Sequence, residues 1–282
     1  MKWAIVTDSS CDLLPSSSDE GTVLHGSVPF VIRVGERDFV DDETLDLSEM
    51  ADAMEREADA SRTACPSPEA WLNRFEQADD VIALTISSRL SGSFNSACLA
   101  KGMAEEKHPG KRIAVLDSRS TGPELVLCVQ EIRRLIGEGM GFQDIVSRAE
   151  SFLDRTRVSF ALCSFENLIK NGRLGKVAGF LAKTLKMWGI GIGSEEGEIV
   201  VVGKVRGQRK ALERLIADMR DRGFRGGRAA ISHCLNPAFA MELKKRIVEM
   251  WPESDVEVLS TRGLCGYYAE RGGVIVGFVT QG

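Results

Sequence analysis

Histidine is scarce in this chain, three in 282 residues, and no Cys-x-x-Cys pair occurs. Both absences speak against a zinc site, and seven scattered cysteines, an odd number, do not make a disulfide framework. They read as reduced, buried thiols. No Gly-x-x-x-x-Gly-Lys-Ser/Thr loop is present, so a nucleoside triphosphate is not the natural guest. The lack of a Gly-x-Ser-x-Gly elbow leaves a serine hydrolase unsupported. No apolar run approaches the ~20 residues that a membrane span needs. Met1 and Lys2 lead straight into the strand-like Trp3-Ala4-Ile5-Val6, so we expect no signal peptide and a soluble, cytoplasmic protein.

The formal net charge of −5 argues against general binding of nucleic acid or of anionic membranes, although Lys and Arg gather around 204–225. The lack of a long apolar run argues against stable membrane insertion. The length exceeds the usual single-domain size, which predicts two α/β domains, divided here as residues 1–155 and 156–282. No short-period repeat or low-complexity segment interrupts them.

Short apolar strands alternate with helical segments. Trp3 to Val6, 81–86 and Ile113 to Leu116 read as buried strands, and Ser27 to Val34 with Arg37 to Val40 as a hairpin around Gly35-Glu36. Helices are expected over Leu45 to Ala58 (capped by Asp46 or Ser48), from Ser67-Pro68-Glu69, from about Gly92, over Pro123 to Ile136 and over 142–155. This alternation implies a largely parallel N-terminal sheet flanked by helices. The second half begins with strand Val158 to Leu162 and helices over Phe165 to Leu168 and Val177 to Trp188. A hairpin follows (Gly189 to Gly193, Ile199 to Val205), then helix Gln208 to Arg222, strand Arg228 to Ser232 and helix Pro237 to Met250. Strands Val256 to Leu259 and Val274 to Val279 close a mixed α/β domain.

Three strand ends are rich in hydroxyls: Thr7-Asp8-Ser9-Ser10, Thr63 through Ser67-Pro68, and Ser87-Ser88 through Ser91-Gly92-Ser93. Ligands of open α/β sheets collect outside the carboxyl ends of strands, so these loops are expected to converge. The third is the most informative. An apolar run ends in hydroxyls just before a helix, where free N–H groups and the helix dipole favour an anion. A carboxylate or a single phosphate fits such a place.

Other chemistries find less support. Asp8 and Asp12 could act as paired carboxylates or hold Mg²⁺, but Asp8 bonding backbone amides and Asp12 capping a helix explain them better. Cys11 and Cys65 lack an evident activating base. His233 is as readily a core residue as a base, and Asp41-Asp42-Glu43 and Asp79-Asp80 read as surface turns. Leu174, Val177, Ala178, Leu181, Leu185 and Trp188 recur at helical spacing, a stripe for the core or for the wall of an apolar site.

The motifs together resemble the DegV family of bacterial fatty-acid-binding proteins. The matching pieces are Val6-Thr7-Asp8-Ser9-Ser10-Cys11-Asp12-Leu13, Thr63 with Pro66-Ser67-Pro68, and Ile86 through Ala97 with its Ser-Gly-Ser turn. Asp117-Ser118, Gly172-Arg173-Leu174, Gly203-Lys204-Val205-Arg206-Gly207 and His233 through Ala238 follow in order across the chain. The resemblance implies a two-domain α/β protein with a long-chain fatty acid in a tunnel between or within the domains. Thr63, Ser91, Gly92 and Ser93 would hold its carboxylate. It further implies presentation of that carboxylate to a separate ATP-dependent fatty acid kinase, with Arg173, Lys204, Arg206 or Arg262 near the head group or the docking face. This chain would then carry no catalytic residues, metal or cofactor, and would touch membranes only transiently. Two departures stand out: Ala64-Cys65 replaces the family's Ser-Gln, and Ser260 through Tyr268 lacks its histidine. The rival readings are a small-metabolite kinase or transferase of related architecture and an interaction protein without a ligand.

Overall fold

The computed structural model describes residues 2–15, 23–57, 61–174 and 187–281. The N-terminal half contains β1 (Trp3–Asp8), β2 (Val23–Val28), β3 (Val31–Val34), β4 (Arg37–Val40), α1 (Leu47–Arg56), β5 (Ser61–Ala64) and α2 (Pro68–Phe75). It continues with β6 (Asp80–Thr85), α3 (Ser93–Lys107), β7 (Arg112–Asp117), α4 (Pro123–Gly137) and α5 (Phe142–Leu153). Next come β8 (Thr156–Leu162), α6 (Glu166–Lys170), β9 (Met187–Gly193), β10 (Ile199–Arg206) and α7 (Gln208–Asp221). The chain ends with β11 (Arg228–His233), α8 (Pro237–Met250), β12 (Asp255–Ser260), α9 (Gly263–Ala269) and β13 (Val274–Val279).

Three sheets result. The first is fully parallel, in the order β2-β1-β6-β7. β6 is buried along its whole length, as its continuous apolar run requires of a central parallel strand. The C-terminal sheet, β10-β9-β8-β13-β11-β12, is mixed, with only β11 and β12 parallel. A small antiparallel sheet, β4-β3-β5, stands apart. The architecture is thus the expected two-domain α/β fold with a parallel and a mixed sheet. Among the described residues no helix is long and apolar enough to cross a membrane.

Local chemistry explains most element ends. Asp46 caps α1 by accepting from the Ser48 and Glu49 amides, at 2.8 and 3.0 Å. Ser67 caps α2 through the Ala70 amide and Pro68 occupies its first turn. α4 is buried on every side over its first two turns, from Pro123 to Val129. An all-round apolar helix belongs between layers. Here one core cluster joins α4 and α5 to Ile5, Ile82 and Leu84 of the parallel sheet and to Ala230 of the mixed one.

Three expectations change. Ser27 to Val34 is not one strand: β2 pairs in parallel with β1, and after Pro29 the chain enters the small sheet as β3. Pro29 has no N–H to continue a ladder, and the next amide, Phe30, donates instead to Ser9 Oγ at 3.0 Å. Trp188 lies in β9, not in a helix, and packs edge-on against Phe239 with ring centres 5.1 Å apart. Residues 175–186 of the expected stripe lie outside the described residues, and Leu174 and Trp188 join different core clusters. Residues 263–269, read from sequence without a helix, form α9.

Gly277 of β13 faces the start of α4 so closely that a Cβ there would sit 2.8 Å from the Glu124 nitrogen and 3.0 Å from the Pro123 carbonyl carbon. Backbone cannot yield as a side chain can. Gly277→Ala is expected to lower the unfolding free energy by about 1–3 kcal/mol. Urea unfolding checks this, and an unchanged midpoint would show that α4 need not seat so closely.

Candidate functional site

In the parallel sheet the chain leaves β1 toward β2 and leaves β6 toward β7, which opens a crevice beyond their carboxyl ends. Asp8 fills its base. Its Oδ1 accepts from the Ser10 amide (3.2 Å) and hydroxyl (2.5 Å), and its Oδ2 from the Ile86 amide (3.0 Å) and Ser93 Oγ (2.6 Å). Burial pushes the Asp8 pKa up, and these four donors oppose the shift. The carboxylate therefore ties the loop after β1 to the loop after β6 and to the start of α3.

Beyond this base lies a cavity of about 360 Å³ between the two halves. Its walls are mostly apolar: Phe30, Ile86, Leu90, Phe160, Leu168 and Ile275 come from five different elements or loops. The lining turns polar at Arg119, Ser120, Thr121 and Glu198, and again at a rim. Thr63 Oγ1 lies 2.9 Å from the Tyr268 hydroxyl, and the Cys65 thiol lies 3.5 Å from where a Gly92 Cβ would stand. Arg173 Nε donates to the Leu90 carbonyl at 3.0 Å and its charge acts on Tyr268. These contacts close a ring of neighbours, from Thr63 through Cys65, Gly92, Ser91, Leu90 and Arg173 to Tyr268. Ala64, Cys65 and Gly92 are exposed, so the ring marks the mouth. α3 starts there without a side-chain cap and without an acid in its first turn, a terminus open to an anion.

The structure thus brings Thr63, Ser91, Gly92 and Arg173 together in the lining. Ser93 is not among the lining residues; it is fully buried behind them and gives its hydroxyl to Asp8. Lys204 and Arg206 lie exposed on β10, outside the lining. Arg262 is neither a surface residue nor in the cavity wall. Its guanidinium is buried, donating to Ser27 Oγ at 2.7 Å and to the Asp41 carbonyl at 2.5 Å.

Further readings need correction. Asp41 and Asp80 are buried, not surface turns: Asp80 pairs with Arg112, and Asp41 caps α9 through the Gly263 and Leu264 amides, both at 2.7 Å. Thr63 reaches the site from the small antiparallel sheet, so the strand-end rule for parallel sheets does not explain its position. Cys11, Cys128, Cys234 and Cys265 are buried and burial raises their pKa values, whereas Cys65, Cys98 and Cys163 are exposed. His233 stands outside the lining and accepts from the Asn236 amide. Sequence reasoning missed Tyr268, Asp41 and the Arg119-Ser120-Thr121 wall. One signal was present: the chain's two tyrosines are adjacent, at 267 and 268.

Asp12 supplies a pH test of the seam. Its Oδ1 accepts from the Arg262 amide at 2.8 Å, and burial, with the Asp41 charge adding to it, pushes its pKa up to about 7. The ordinary value is 3.8, so the folded state holds this proton more tightly than the unfolded chain. The associated stability is complete below the unfolded value and is lost as pH rises through 7, by about 4 kcal/mol at most. Asp12→Asn carries no such proton. Its urea stability relative to wild type is expected to rise between pH 5 and 8, and equal pH slopes in both proteins would refute the assignment.

Comparison with known proteins agrees with this geometry. The DegV family model matches residues 2–281. A DegV domain-containing protein of Streptococcus pyogenes serotype M3 is 38% identical over 278 residues, covering 99% of each chain. The fatty acid kinase B3 protein of Streptococcus pneumoniae, loaded with linoleic acid, matches with a TM-score of 0.96 at 37% identity over 100% of both chains. A DegV family protein from Eubacterium eligens, loaded with heptadecanoic acid, gives 0.94 at 35% identity over 99% of this chain and 100% of the other. With its fold, its length and nearly all of its sequence matched, this chain belongs to the DegV family.

Proposed function

We propose that this protein binds a long-chain fatty acid in the cavity and presents its carboxylate to a separate ATP-dependent kinase that makes the acyl phosphate. The single observation that carries the reading is a mostly apolar cavity with a polar rim where Thr63, Ser91, Gly92 and Arg173 meet. The bound fatty acids of the two solved relatives support it. The kinase step draws its support from the first of these, a fatty acid kinase B3 protein. Catalysis then belongs to the kinase. Lys204 and Arg206, exposed two residues apart on β10, are the side chains we assign to docking.

The energetics suit a tightly held lipid. A sixteen-carbon chain buries about fourteen methylenes at ~0.8 kcal/mol each, ~11 kcal/mol gross. Immobilisation and carboxylate desolvation offset much of this. Hydroxyls and amides at the rim limit the second cost without locking the head group into a strong ion pair.

Mass spectrometry of an organic extract of the purified protein is expected to show about one fatty acid per chain. Thr63→Ala, which removes one rim hydroxyl, is expected to weaken palmitate or oleate binding about three- to tenfold, the value of one neutral hydrogen bond. A lipid-free protein that fails to bind either acid, or one that turns over ATP alone, would overturn the proposal.

A further inference from the structure

We infer that Tyr268 is a carboxylate-binding residue, its phenol donating the hydrogen bond that fixes the acid head group while Thr63 supports it from behind. This rests on the fatty-acid reading and adds to it a donor from α9.

Proton bookkeeping comes first. The Thr63 and Tyr268 hydroxyls carry two protons, and their mutual hydrogen bond uses one. Among the described residues that bond is the one side-chain hydrogen bond of either hydroxyl, so the pair has one proton to donate into the cavity. A phenol is the more acidic of the two alcohols and therefore the stronger donor. Thr63 to Tyr268 to carboxylate is accordingly the favoured order. Arg173, whose charge acts on Tyr268, lies on the same rim.

The phenol is also fixed in place before any ligand arrives. Ser61 and Thr63 lie on one face of β5, two residues apart. Tyr267 donates to Ser61 Oγ at 2.7 Å and accepts from Asn171 Nδ2 at 2.9 Å, while Tyr268 takes Thr63. Two adjacent tyrosines thus stitch α9 to two positions of one strand, their rings edge-to-face at 4.9 Å. The amides that start α9 are held by Asp41. Little side-chain freedom remains to be lost on binding.

Charge state completes the case. Burial raises the Tyr268 pKa above its ordinary 10, so the phenol stays protonated across the physiological range. Among the described residues no histidine lines the cavity. The hold on the head group at this position is therefore a neutral donor that does not titrate between pH 5.5 and 8.5.

The test uses delipidated full-length protein with two probes, oleate and methyl oleate, at pH 5.5, 7 and 8.5. Tyr268→Phe keeps the ring and removes the donor. It is expected to weaken oleate binding about tenfold and leave methyl oleate unchanged. Tyr268→His is expected to restore oleate binding at pH 5.5 and lose it by pH 8.5, a dependence beyond any shown by wild type. Equal oleate affinity in Tyr268→Phe and wild type would overturn the inference. So would equal losses for both probes, which mark a structural residue, or a pH profile of Tyr268→His parallel to that of wild type. Wild type that binds neither probe would sink the fatty-acid reading itself.

Discussion

Three buried carboxyl groups, Asp8, Asp12 and Asp41, each accept from a backbone amide in a distant part of the chain, and the cavity depends on these bonds. Asp8 holds the Ile86 amide, Asp12 the Arg262 amide, and Asp41 the first two amides of α9. A helix of seven residues has no stability of its own in water. It persists because those amides meet carboxyl acceptors in a place closed to solvent. Leu264, Cys265, Tyr268 and Ala269 all face the cavity from this helix. The Arg262 guanidinium, 3.7 Å from Asp41, offsets part of the buried negative charge. Removing one member of such a set leaves its partners uncompensated, which costs more than the intact arrangement contributes.

A void between two sheets survives only if its rims are held apart and held together at once. α4 does the first, as a helix-thick layer in contact with both sheets. The turn between β9 and β10 does the second. Ser87 Oγ donates to the Gly197 carbonyl at 2.7 Å, and a Cβ on Gly197 would lie 2.9 Å from the Arg119 Cα. With φ at +88°, only glycine makes this approach without strain. The cavity spans the space between this contact and the carboxylate seam.

How much of this could be read from the sequence depends on the range of the interaction. Caps such as Asp46 and Ser67 act within three residues, so composition betrays them. The β6 strand and α3 were equally plain, since an apolar run followed by Ser and Gly admits few alternatives. Ser91 and Gly92 were legible for the same reason. Ser93 looked the same in one dimension, but its hydroxyl is claimed by Asp8, 85 residues earlier. Asp41, Arg262 and Tyr268 were illegible because their partners lie more than 200 residues away. In sequence, Ser27 to Val34 reads as one strand straight through Pro29, and only the pairing of β3 with β5 shows that the chain changes sheet there.

On the fatty-acid reading, the rim solves a problem that a strong ion pair would create. A carboxylate that must be phosphorylated has to be bound and still nucleophilic. Two lysines would bind it well and lower its reactivity, while bare hydrocarbon would force it to protonate. Hydroxyls, the amides at the start of α3 and one arginine already bonded to the Leu90 carbonyl stand between these limits. Affinity then resides in the methylenes, whose burial is indifferent to what happens at the acid. Position resides in a few neutral donors, which can pass from carboxylate to acyl phosphate without a change in their own charge. That division places Thr63, Ser91 and Arg173 beside the exposed Cys65 and Gly92 and leaves the apolar walls to the core.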